Sequence, residues 1–224
     1  MVKYAVIVAG GQGSRMQNEI PKQFLLLQGK PLLYYTLDTF SNAYSDMDII
    51  LVLPEEHVAK GQEIIDAWFD STRIKVTIGG RTRFHSVQNG LKLVTKESIV
   101  FVHDAARCLV SSGLVRRCYE AAADAGSAIP VVACKDSVRL ITADENEAVD
   151  RNNIRLVQTP QTFHSRILLP AFNIDYKDKF TDEATVVEAF GLKVKLIAGE
   201  EDNIKITRPM DLLLAEAILR SVKN

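Results

Sequence analysis

Cysteine is scarce in this chain. Cys108, Cys118 and Cys134 are an odd number in 224 residues, with no CxxC pair and no alternation with histidine. That pattern argues against a disulfide framework and a zinc array, and predicts free thiols in a reducing cytoplasm. An excess of one charge is also missing. The formal net charge is -1, so no global field recruits nucleic acid or an anionic membrane, and any anion site must be assembled locally. Long apolar runs are absent too. The opening run, residues 4–9, is broken at once by glycines and is too short for a signal core or a membrane span. Nor is there a Pro/Gly-rich or low-complexity tract. The expectation is a cytoplasmic globular protein, a single domain over residues 1–224.

What the chain does have is a recurring βα rhythm. Apolar, β-branched runs stand at 4–9, 48–53, 74–78, 99–103, 127–133 and 193–197. Helical apolar spacing fills 31–40, 57–69, 84–94 and 114–125. Near-continuous apolar strands alternating with amphipathic helices predict an α/β fold: a Rossmann-like, mainly parallel sheet with helices on both faces. Loops that carry function then gather along one edge of that sheet. Ser111 or Ser112 suits the cap of one helix, Pro31 the first turn of another, and Thr207 with Pro209 the start of a terminal helix. Leu212, Ala215, Leu219 and Val222 form that last helix's apolar stripe.

One segment breaks the rhythm. Residues 136–159 alternate about a polar "ADEN" turn, which predicts a hairpin arm, taken as 136–157. An isolated hairpin is marginal in water. It therefore packs either on its own domain or on a second copy of the chain.

The chemistry-bearing residues begin with "AGGQGSRM" directly after the first strand. Gly10, Gly11 and Gly13 let backbone N–H groups approach phosphate oxygens. Met16 stands where a dinucleotide fingerprint has its third glycine, and no G-K-[ST] follows. Arg15 and Lys22 supply two cations beside the loop, which suits a triphosphate. A tight turn with a solvated basic loop is the plainer alternative. Asp104, at the end of "IVFVHD", is placed to meet a ribose hydroxyl or Mg²⁺, or simply to cap a turn. Lys205 falls in a predicted short strand within "NIKITRP", where an unpaired ammonium is costly and an anionic partner is expected. Asp182 and Glu183 open a predicted helix, where dipole complementation alone would account for them. No Ser/His/Asp or Cys/His ordering suggests a covalent mechanism.

In order, "AGGQGSRM", "PKQF", "VHDAAR", "RLVQTPQTF", "FTDEA" and "NIKITRP" closely resemble the 2-C-methyl-D-erythritol 4-phosphate cytidylyltransferases over essentially the whole chain. The resemblance implies Mg²⁺-dependent (or other divalent cation) transfer of CMP from CTP, with pyrophosphate leaving, by a homodimer joined through the arm. It implies phosphate-binding, transition-state-stabilising roles for Arg15 and Lys22, and CTP contacts at Ala9, Gly10, Gly11, Gly13, Gly80, Ser86, Asp104 and Ala105. It places the sugar-alcohol phosphate at Arg107, Ser137, Thr159 and Thr181. Arg151, reaching from the partner subunit, and Lys205 position that phosphate. Gly10 stands where many members have alanine, and Arg81 where an acidic residue is common. Ser137 replaces a frequent threonine, and Cys108 a usual proline. Ribitol 5-phosphate cytidylyltransferases look similar over the same motifs, although "VHDAAR" and "FTDEATVVE" match the methylerythritol enzymes better. A silent nucleotide-binding module and a nicotinamide dehydrogenase are the rivals from other classes.

Overall fold

The computed structural model describes residues 1–10 and 20–222. Its strands in chain order are β1 Val2–Val8, β2 Leu26–Leu27, β3 Lys30–Pro31, β4 Met47–Leu53, β5 Ile74–Ile78, β6 Ser98–Asp104, β7 Ser127–Ala133, β8 Val138–Ile141, β9 Asn146–Val149, β10 Arg155–Val157, β11 Gln161–His164 and β12 Leu196–Ala198. The helices are α1 Leu32–Ala43, α2 Val58–Trp68, α3 Arg83–Leu91, α4 Ser112–Ala125, α5 Ser165–Ala171, α6 Glu183–Ala189 and α7 Pro209–Val222.

The main sheet runs β10-β7-β11-β6-β1-β4-β5, with β12 paired to β7. Strands β6, β1, β4 and β5 are mutually parallel, while β11 lies antiparallel between β6 and β7. Alternation along the central strands divides the core into two layers. Ala5, Ile7, Ile49 and Leu51 face α1, α2 and α4, where Phe40, Ile65 and Leu114 are buried. Val6, Val8, Ile50 and Val52 face the opposite layer, with Phe84 of α3, Leu168 of α5 and Val187 of α6. Such two-sided burial explains why these strands read as apolar runs rather than alternating ones.

Helix ends follow local chemistry. Ser111 Oγ accepts from Leu114 N at 2.9 Å, and Gly126, at φ +85°, supplies the left-handed residue that ends α4. The chain moves outward from β1 to β4 and β5 and then returns to β6 on the other side of β1. The carboxyl ends of β1 and β6 therefore flank the point where the winding reverses, the place where open α/β sheets bind ligands.

Several expectations are corrected. The predicted strand at 193–197 is realised as β12 at Leu196–Ala198. Lys205 is not in a strand: residues 203–207 have no regular secondary structure and are anchored by Ile206 N to Ala106 O at 2.9 Å. Thr207 does not cap α7; Asp211 Oδ2 reaches back to the Thr207 and Arg208 N–H groups at 2.7 and 2.8 Å. Pro31 sits just before α1 as its N-cap rather than within its first turn. Leu212, Ala215 and Leu219 do pack inward; the side chain of Val222 lies outside the described set. The hairpin is shorter than 136–157. Only β8 and β9 pair, and they pair with no other strand among the described residues, whereas β10 joins the main sheet beside β7.

Candidate active site

Two cavities lie against the carboxyl ends of β1 and β6. The first, about 220 Å³, is lined by Ala9, Gly10, Lys22, Gln23, the segment from Gly80 to Arg83, Ser86, Ala105 and Ala106. The second, about 190 Å³, is lined by Arg107, Gln158, Thr159, Gln161, Thr181 and Asp182. Arg83, Asp104 and Lys205 line both. The wall between the cavities is therefore itself an ionic cluster.

Its geometry is tight. Arg83 Nε lies 3.0 Å from Asp104 Oδ1, and Lys205 Nζ lies 2.7 Å from Asp104 Oδ2. The other end of the same guanidinium forms a fork with Glu183, at 2.5 and 3.1 Å. Two cations and two carboxylates balance, as the buried carboxylates require. Burial pushes the Asp104 carboxyl up, but Arg83 and Lys205 outweigh it and hold it well below the usual carboxylate range. Burial likewise raises the Glu183 carboxyl, with Arg83 opposing. For Arg83, desolvation is overcome by its two carboxylates, and the guanidinium is held above its ordinary value.

Behind this wall a buried hydrogen-bond chain fixes the loop after β6. His103 Nε2 faces the Arg107 carbonyl at 3.1 Å, which can only accept, so Nε2 carries the proton. The bare Nδ1 then accepts from the Thr159 hydroxyl at 3.0 Å, and Thr159 Oγ1 accepts from Asp104 N at 3.1 Å. Desolvation pushes the imidazole down to about 3, so His103 is neutral and structural. Asn203 Nδ2 donates to Thr159 O at 2.9 Å, which ties the 203–207 segment to the same unit. Arg107 donates to the carbonyls of Asn203 and Val157 at 2.7 and 3.2 Å. Those partners are dipoles and leave its formal charge uncancelled beside the second cavity.

On the opposite wall, Ser86 Oγ accepts from Gly80 N at 3.0 Å and donates to Thr82 O at 3.0 Å. A Cβ on Gly80 would collide with His85, so glycine is required there. At Gly10 a Cβ would meet, among the described residues, only Ser86 Oγ, at an ordinary 3.6 Å. Alanine is therefore admissible at that position.

Of the residues expected from sequence, Ala9, Gly10, Lys22, Gly80, Ser86, Asp104, Ala105 and Lys205 line the first cavity. Arg107, Thr159 and Thr181 line the second, together with Asp104 and Lys205. Gly11, Gly13 and Arg15 lie outside the described residues. Ser137 and Arg151 are exposed and line neither cavity; Arg151 donates to the Lys135 carbonyl at 2.7 Å within its own chain. Arg81 is exposed on the rim of the first cavity. Arg83 and the buried partnership of Glu183 were not read from the sequence. The signal available for Glu183 was a carboxylate set among apolar neighbours in "EATVVEA".

As a metal ligand Asp104 fits poorly, because each of its oxygens already serves a cation. No group of three or more His, Cys, Asp or Glu side chains able to hold a metal occurs among the described residues. No helix among them is long and apolar enough to cross a membrane.

The family model for 2-C-methyl-D-erythritol 4-phosphate cytidylyltransferase matches residues 3–221. A protein of that name from Phocaeicola vulgatus is 45% identical over 219 residues, covering 98% of this chain and 100% of its own. One from Porphyromonas gingivalis is 45% identical over 220 residues, covering 98% of each. Among solved structures, 4-diphosphocytidyl-2C-methyl-D-erythritol synthase from Anaerococcus prevotii superposes with a TM-score of 0.84 at 29% identity, over 97% of this chain and 96% of that one. The Thermus thermophilus 2-C-methyl-D-erythritol 4-phosphate cytidylyltransferase superposes with a TM-score of 0.74 at 32% identity, over 96% and 98%.

Proposed function

Because the chain belongs to the 2-C-methyl-D-erythritol 4-phosphate cytidylyltransferases, nucleotidyltransferases that pass CMP from CTP to that sugar phosphate, we propose how its residues divide the work. CTP occupies the first cavity, and Lys22 and Arg15 meet its phosphates. The sugar phosphate occupies the second, against Arg107, Thr159 and Thr181. Lys205 stands at the junction. Its ammonium carries three donors, and Asp104 takes one of them. The remaining donors serve the incoming phosphate, aided by Arg151 from the partner subunit.

The reaction joins a phosphate oxygen of the sugar phosphate to the α-phosphorus of CTP. The bond from that phosphorus to the bridging oxygen breaks, and its electron pair leaves with pyrophosphate. The nucleophile is already an anion, so no general base has to remove a proton. What the protein supplies is alignment and counter-charge for two repelling polyanions. The observation that carries this reading is the shared wall: two cavities meet at Arg83, Asp104 and Lys205.

The divalent cation is taken to arrive as its complex with the triphosphate, as part of the substrate, since the Asp104 charge is already neutralised by Arg83 and Lys205. The β8–β9 hairpin acts as the dimer arm, an appendage of one domain. Support comes from Leu140 and Ile141, which are 51% and 76% exposed on a ribbon that pairs with no other strand among the described residues. The free thiols and near-neutral charge suit a cytoplasmic enzyme of diffusible phosphates, without nucleic acid or membrane partners.

Purified protein given CTP, Mg²⁺ and either 2-C-methyl-D-erythritol 4-phosphate or ribitol 5-phosphate tests the assignment through pyrophosphate release. Faster turnover of the methylerythritol substrate is expected; faster turnover of ribitol phosphate would overturn the reading.

A further inference from the structure

Gln23 is 2% exposed, and neither its amide oxygen nor its amide nitrogen has a hydrogen-bond partner among the described residues. It lies in the short turn Lys22–Phe24 and lines the first cavity but not the second. A buried amide with both ends unpaired is a standing cost to the free protein, and such groups call for an explanation. Its neighbours on the cavity wall have found partners within the protein. Thr82 caps α3, Ser86 bridges Gly80 and Thr82, and both Asp104 oxygens hold cations.

The chemistry of CTP narrows what completes this amide. Ionised phosphate oxygens accept but do not donate, so a phosphate could satisfy Nε2 and would leave Oε1 unpaired. A ribose diol offers both a proton for Oε1 and an oxygen for Nε2; the cytosine edge does so too, but the ribose is the group next to the phosphates that the adjacent Lys22 meets. Asp104, the acceptor that the sequence suggested for ribose, is already committed to Arg83 and Lys205. We infer that Gln23 binds the ribose of CTP, accepting from one hydroxyl and donating to the diol. This rests on the reading of the first cavity as the CTP site.

The test combines nucleotide and protein changes. Michaelis constants for CTP, 2′-deoxy-CTP and 3′-deoxy-CTP are measured with the wild-type protein, Gln23→Leu and Gln23→Met. Melting temperatures without ligand and the Michaelis constant for the sugar phosphate complete the set. The wild-type protein is expected to take one deoxy analogue about three- to tenfold less well than CTP, the worth of one hydrogen bond. The variants are expected to lose that discrimination, because deleting both partners of one contact is non-additive. They also keep the sugar-phosphate constant and melt no lower than wild type, since an apolar side chain replaces an unpaired amide. Equal use of all three nucleotides by the wild-type protein overturns the inference without any variant. So does discrimination retained by the variants, or a fall in their melting temperature, which would mean that the amide is already paired by the protein or by a trapped water. Failure of the wild-type protein to use CTP at all would strike the functional reading instead.

Discussion

Lys205 Nζ lies 2.7 Å from Asp104 Oδ2 across the wall shared by the two cavities. The carboxylate is the centre of the cluster and the ammonium its outlying member, with side-chain exposures of 12% and 40%. The two residues should therefore fail in different ways when replaced.

Lys205→Met removes a half-exposed cation whose partner keeps Arg83. Stability should change by less than about 1 kcal/mol, while turnover falls by ~10²–10³ for loss of one preorganised charge contact. Asp104→Asn leaves two cations without their shared counter-charge and should cost about 3–5 kcal/mol. Denaturant titration of both variants, beside pyrophosphate release, checks the pattern. Equal destabilisation by the two substitutions would mean that the cluster is not held together as described.

Lys22 belongs to the turn that closes one side of the first cavity, and its ammonium reaches Ile206 O at 3.4 Å. Lys22→Ala should depress turnover by ~10²–10³ and leave the melting temperature nearly unchanged. A large fall in the melting temperature would instead make Lys22 a structural residue.

His103 gives a pH signature. Burial pushes it down to about 3 from an ordinary 6.5, so between those values the unfolded chain binds one more proton than the folded one. Stability from this group is complete above 6.5 and is lost as the pH falls toward 3, with a slope of ~1.4 kcal/mol per pH unit. His103→Gln should flatten the stability profile between about pH 4 and 6. Denaturant titrations across that range would contradict this account if the two profiles ran parallel.

Arg151 lines neither cavity of its own chain. If it serves the partner's site, mixing Arg151→Ala with Lys22→Ala subunits should restore activity, because the heterodimer has one site with both residues intact. Absence of recovery after verified subunit exchange would return the arm to its own chain.

The sheet was legible wherever burial is two-sided: β1, β4, β6 and β7 read as apolar runs because both faces are largely covered, while the edge strand β5 was legible from its β-branched alternation. The 203–207 segment misled because Ile204 and Ile206 alternate like a strand. They do so to reach one small core cluster, while the backbone bonds singly to Asp202 and Ala106. The motif residues of the cavities could be named because they sit on loops after strands. Arg83 and Glu183 could not, because they are 100 residues apart and meet only through the packing of α3 and α6 on one face. Ordinary helix-start chemistry accounted for Glu183 equally well until its burial was seen. The unpaired amide of Gln23 has no sequence signature at all.

The most direct test of the account is a crystal structure with a non-hydrolysable CTP analogue, Mg²⁺ and the sugar phosphate bound together. The account predicts the nucleotide between Ala9 and Ser86, the sugar phosphate between Arg107 and Thr181, and the Lys205 ammonium against the incoming phosphate. Both ligands in one cavity, or Lys205 turned away from either phosphate, would contradict it.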